Sequence, residues 1–247
     1  MTPSLDIRTS TVQVHSGAVQ IPAYLAEPVG KGPFPVVVVI QEIFGVNVHI
    51  REVTARLARQ GYVAIAPAIY HRQVANFEVG YGPEDVALGR KYKVETQADE
   101  LLSDVQGCIT YTQAMANTKT GGVGCIGFCF GGHVAYLAAT IPGVKATASF
   151  YGAGITTLKP GGGDPTITLT PQITGVLYGF FGQEDALIPN QQVDEIEAAL
   201  KTHQITHRIF RYAGAGHGFF CDRRESYQPE AAADAWEHVK QLFVENL

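Results

Sequence analysis

The chain has 247 residues, a formal net charge of −5, and 46% apolar against 17% charged residues, a balance that can bury one sizeable core. No run of lysines or arginines supplies the footprint that a nucleic-acid or membrane surface requires, so neither partner is expected. Residues 1–10 lack the basic and apolar regions of a signal peptide and no apolar stretch could span a bilayer, so a soluble cytoplasmic protein is expected.

In chain order, residues 11–26 alternate Val12, Val14, Val19, Ile21 and Tyr24 with polar or small residues around Ser16-Gly17, which predicts an antiparallel hairpin. Residues 36–40, Val-Val-Val-Val-Ile, are apolar on both faces, as a central strand of a covered parallel sheet must be. Ile50, Val53 and Leu57 then share one helical face, Gly61 closes that helix, and residues 62–66 return as a strand, giving a βαβ unit. Residues 69–89 show little period and read as a working loop; helical spacing resumes over 93–116. Strands are predicted at 122–128, 145–151, 173–182 and 205–212, with helices at 132–141, 189–200 and 229–243. Residues 152–171, with Gly161-Gly162-Gly163 and no hydrophobic period, read as a surface excursion. No repeat or domain boundary interrupts this order, and one domain over residues 1–247 is expected.

Cys108, Cys125, Cys129 and Cys221 are too sparse for a disulfide framework and form no C-x-x-C pair of the zinc type. Cys108 and Cys125 fall inside apolar patterns and read as small buried hydrophobes. Cys129 differs. Gly127-Phe128-Cys129-Phe130-Gly131 has the form G-x-C-x-G, a nucleophile elbow between a strand and a helix whose positive end would favour a thiolate. The overlapping Gly122-x-Gly124-x-x-Gly127 copies the dinucleotide fingerprint. Its glycines precede or lie inside the strand, and no acidic residue from Val105 to Gly163 could hold a ribose, so no cofactor is expected.

A thiol nucleophile needs a base, and the base needs an orienting partner. Asp185, in the turn after the strand ending at Phe181, and His217, between Gly216 and Gly218 after the strand ending at Tyr212, meet that need at strand C-termini. Glu184 could replace Asp185, whereas His49, His133 and His238 fall on helices. The chain order nucleophile, acid, histidine is that of the α/β-hydrolases, an α/β fold with helices on both faces of a mostly parallel sheet.

With Gln41-Glu42-Ile43-Phe44-Gly45, the cysteine elbow, Asp185 and Gly216-His217-Gly218, the chain resembles the dienelactone hydrolase (carboxymethylenebutenolidase) family over nearly its whole length. The resemblance implies Cys129 as nucleophile, His217 as acid and base, Asp185 as its partner, and Glu42 as a carboxylate that helps deprotonate the thiol. It also implies an oxyanion hole from the backbone N–H groups of Ile43 and Phe130. A small lactone or ester is the expected substrate. A broad carboxylesterase, or a non-catalytic sensor on the same scaffold, remains open. The family's arginine close after the catalytic histidine is displaced here: Cys221 and Asp222 come first, then Arg223 and Arg224. Tyr70, Arg72, Arg90, Tyr92 and Arg223 are the candidates for gripping a substrate acid. No metal is expected, and the oligomeric state is left open.

Overall fold

In the computed structural model, which describes residues 5–247, the strands form one eight-stranded sheet in the order β1-β2-β4-β3-β5-β6-β7-β8. The hairpin of β1 (Ile7–Ser16) and β2 (Val19–Pro28) joins antiparallel to β4 (Val63–Pro67). From β4 onward the pairs are parallel: β3 (Val36–Ile40), β5 (Val123–Phe128), β6 (Val144–Phe150), β7 (Val176–Gly182) and β8 (His207–Tyr212). This is the α/β-hydrolase order.

The four valines of β3 explain the layering. Val37 and Val39 pack among α1 (Val48–Arg59) and α6 (Pro229–Asn246), while Val36 and Val38 pack among α3 (Ala98–Gln113) and α4 (Phe130–Ala138). All four are fully buried, each burial stabilising the fold by roughly 1.5–3 kcal/mol relative to exposure. The remaining helix, α5 (Asn190–Thr202), buries Val193, Ile196 and Leu200. At the head of α1, Asn47 Oδ1 accepts the Ile50 N–H at 3.3 Å, and Gly61 beyond its end takes φ +95°. No helix among the described residues is long and apolar enough to cross a membrane.

Two expectations are corrected. The loop predicted over 69–89 is shorter, because α2 (Pro83–Val94) occupies its last third, and Glu95–Gln97 separate α2 from α3 where one helix is expected over 93–116. In α2 only Gly89 is buried, so no apolar stripe marks the helix; it docks where Gly89 approaches the Ile43 carbonyl too closely for any Cβ. The excursion over 152–171 is also less superficial than expected. It ends in a 3₁₀ helix, Thr166–Gln172, whose buried Thr166 and Thr170 hydroxyls bond His133 Nε2 at 2.7 Å and Tyr136 Oη at 2.5 Å, pinning it to α4.

Candidate active site

Cys129 sits between β5 and α4 with φ 54° and ψ −117°, a conformation that costs a non-glycine residue roughly 1–3 kcal/mol. The neighbourhood holds it there: its N–H donates to the Phe150 carbonyl at 3.0 Å, and its carbonyl accepts from Gly132 and His133 at 3.0 and 3.2 Å. A Cβ on Gly127 would collide with the Gly131 carbonyl, and one on Gly131 with the Ile40 and Gln41 carbonyls. These glycines let α4 start directly over the sheet, and the cysteine side chain is the half-buried exception in a buried run.

The loops after β7 and β8 are zipped together. Gln183 N–H donates to the Tyr212 carbonyl at 2.9 Å and Glu184 N–H to the Ala215 carbonyl at 3.0 Å. Glu184 is exposed, whereas Asp185 is buried; its Oδ1 accepts the Leu187 N–H at 2.8 Å and its Oδ2 meets His217 Nδ1 at 2.7 Å. Burial opposes charge on His217, but the Cys129 sulfur and the Asp185 carboxylate outweigh it, and its pKa is pushed up to about 10. Nε2, facing that sulfur, is buried and makes no hydrogen bond of good geometry among the described residues.

Glu42, in the loop after β3, is fully buried; Oε1 accepts from Arg224 Nη1 at 3.1 Å and Oε2 has no partner among the described residues. The Tyr70 and Tyr151 hydroxyls are buried and, among the described residues, unpartnered too; burial first raises the pKa of both phenols, with charge on Cys129 adding to it at Tyr70 and charge on Glu42 at Tyr151. Native interiors seldom leave polar atoms unpaired, so this group around one sulfur is where a polar ligand fits. The N–H groups of Ile43 and Phe130 donate to no acceptor among the described residues. By contrast, a cavity of about 720 Å³ around Lys145, Val176 and Thr206 lies at the N-terminal ends of β6 to β8, the wrong end of a parallel sheet for chemistry.

The sequence pattern of the dienelactone hydrolase family matches residues 21–247. The chain belongs to the dienelactone hydrolase family. It is 57% identical to a Synechocystis sp. protein provisionally named a carboxymethylenebutenolidase, over 99% of both chains. It is 32% identical to a Bradyrhizobium sp. protein provisionally named a 2-oxo-3-(5-oxofuran-2-ylidene)propanoate lactonase, over 88% of this chain and 86% of that one. A crystal structure from Klebsiella pneumoniae, provisionally described as a dienelactone hydrolase, superposes with a TM-score of 0.87 at 31% identity, covering 97% of this chain and 99% of the other.

Within this dienelactone hydrolase-family hydrolase, the residues considered for substrate binding separate. Tyr70 lies beside the site, stacked on Phe130 with ring centroids 6.3 Å apart. Arg72 does not reach it: its guanidinium bonds Asp104 Oδ1 and Ser16 Oγ, each at 2.7 Å. Arg90 is exposed on α2. Arg223 points outward to Glu52, at 2.6 Å, and its neighbour Arg224 turns inward to Glu42. A one-residue difference inside an irregular loop has no periodicity to reveal it. Tyr151 was missed because it reads as the end of a core strand. It takes φ 37°, and its ring lies edge-on to that of His217 with centroids 5.2 Å apart; its place one residue beyond β6 was the available signal.

Proposed function

We propose that this hydrolase cleaves small lactones or activated carboxylic esters through Cys129, His217 and Asp185, by way of a thioester. The observation that carries this reading is the His217–Asp185 contact of 2.7 Å, which leaves the far ring nitrogen for a cysteine held at φ 54°. Asp185 orients the ring. His217 Nε2 takes the thiol proton, the sulfur adds to the carbonyl carbon, and the oxyanion is received by the N–H groups of Ile43 and Phe130. When the tetrahedral adduct collapses, the ring-opening oxygen leaves with the proton from His217. Water, deprotonated by the same nitrogen, then adds to the thioester, and Cys129 departs as the acid is released. Glu42 is a second carboxylate beside the sulfur that assists thiol deprotonation. The names of the relatives add a lactone to the substrate class.

Thiolate is a good leaving group, so the first adduct goes forward only when the competing oxygen leaves easily, as in enol lactones. Cys129→Ala is expected to lower kcat/KM on a dienelactone and on p-nitrophenyl acetate by roughly 10³-fold or more. Full activity in that variant would end the proposal.

A further inference from the structure

Outside the triad, three buried side chains converge that the proposed reaction uses only in part. Glu42 comes from the loop after β3, His49 from the first turn of α1, and Cys221 from the loop after β8; their ligand atoms lie within 4.8 Å of one another. Glu42 is fully buried and His49 is 4% exposed, yet Glu42 Oε2 and His49 Nε2 are both without hydrogen-bond partners among the described residues. A buried carboxylate oxygen and a buried imidazole nitrogen left unpaired on residues this close are costly, and an ion that both residues ligate removes that cost.

We propose that Glu42, His49 and Cys221 form a binding site for a zinc ion or a similar borderline divalent cation, which restrains the enzyme by engaging Glu42. The donor set is one carboxylate oxygen, one imidazole nitrogen and one sulfur, which suits zinc with a fourth position open. Tetrahedral zinc with ordinary bond lengths sets its ligands about 3.3–3.6 Å apart, so the present spacing closes with side-chain movements of about 1 Å. The His49 ring is held edge-on by Phe128 and Phe220, at centroid distances of 5.6 and 6.2 Å, which fixes its plane as a ligand. Cys221 loses its proton to solvent on binding; Tyr81 Oη, 3.3 Å from the sulfur, then donates to the thiolate in place of accepting from the thiol. Glu42 can bridge, since Oε1 is occupied by Arg224 and Oε2 is free.

An approach exists as well. His49 lines two surface depressions, one of about 250 Å³ with Glu52, Asp222 and Arg56 on its wall and one of about 520 Å³ bordered by Glu78, Tyr81 and Arg223, so solvent ions reach the ring from either side.

The test uses the full chain, stripped with a chelator and titrated with Co²⁺, while Zn²⁺ affinity is measured by competition with a chromophoric chelator. One equivalent of Co²⁺ is expected to give a thiolate-to-metal charge-transfer band that persists in Cys129→Ala and vanishes in Cys221→Ser. Zn²⁺ affinity should fall at least tenfold in both Cys221→Ser and His49→Gln, with metal-free melting temperatures confirming that each variant is folded. A band that survives Cys221→Ser and is lost in Cys129→Ala would place the metal on the nucleophile and overturn the proposal, as would failure to bind either ion. The inhibitory part rests on the esterase reading of Glu42: Zn²⁺ should inhibit wild-type ester hydrolysis at least tenfold more strongly than that of Cys221→Ser, and equal inhibition would refute it. The spectral arm needs no turnover, so failure of the esterase reading would not be mistaken for failure of the site.

Discussion

The charge of His217 is set by the Cys129 sulfur and the Asp185 carboxylate beside it. Desolvation alone would drive the imidazole toward neutrality; negative charge on the sulfur, then Asp185, reverses the balance and brings the histidine to about 10. A folded-state pKa raised from 6.5 means that the charged ring favours the native state. That contribution is complete below the unfolded value and is lost as pH rises through 10. Replacing Cys129 by alanine removes the larger of the two raising influences, so His217 should titrate roughly one to three pH units lower, read from its ring shifts by NMR across an alkaline series. The alkaline decline in stability should move down with it. A His217 pKa still near 10 in Cys129→Ala would mean that Asp185 alone sets the ring's charge.

The element that makes the site is the junction of β5 and α4, and its geometry depends on positions where nothing larger than hydrogen fits. Gly131 faces the carbonyls of Ile40 and Gln41, backbone that cannot swing aside as a flexible side chain would. Gly131→Ala is therefore expected to cost about 1–3 kcal/mol in urea unfolding and to lower activity further than the stability loss explains, because α4 must shift and carry the Phe130 amide with it. An alanine variant with wild-type stability would contradict the close approach. This junction was legible in the sequence because its chemistry is local: glycines at fixed offsets, a fully apolar strand before them and a helix after. β3 was legible for a related reason, since both of its faces are buried. The hidden parts depend on what an element packs against. Helix α2 buries little besides a glycine, so its sequence carries no stripe; Arg224 differs from Arg223 only in the direction a loop turns; and His49 looks like any helical histidine until Glu42 and Cys221 arrive from distant loops. Asp185 and His217 were accessible because topology puts the loops after β7 and β8 at the same end of the sheet as the elbow.

Across the whole molecule, the antiparallel hairpin joins the parallel core through β4, and Arg72 helps attach it. Its guanidinium joins three distant segments: Ser16 at the end of β1, its own loop after β4, and Asp104 on α3. Ser16 Oγ also donates to Asp104 at 2.5 Å, and Gly107 on α3 lets the helix approach the His15 carbonyl directly. Burial raises the pKa of Asp104, and its bonds to Ser16 and Arg72 pull it back down, so the carboxylate depends on those partners for its charge. Arg72→Ala strands it. Because the arginine side chain keeps 16% exposure and the aspartate none, the loss should fall at the lower end for a broken buried pair, about 3 kcal/mol. The denaturation midpoint should drop accordingly while KM for a carboxylate-bearing lactone changes by less than about twofold, since Arg72 is held on Asp104 and Ser16 and does not reach the substrate. A residue that gripped the substrate acid would give the opposite result, a rise in KM of tenfold or more with stability unchanged. Measuring both quantities on one variant separates an arginine that holds the hairpin from one that holds the substrate.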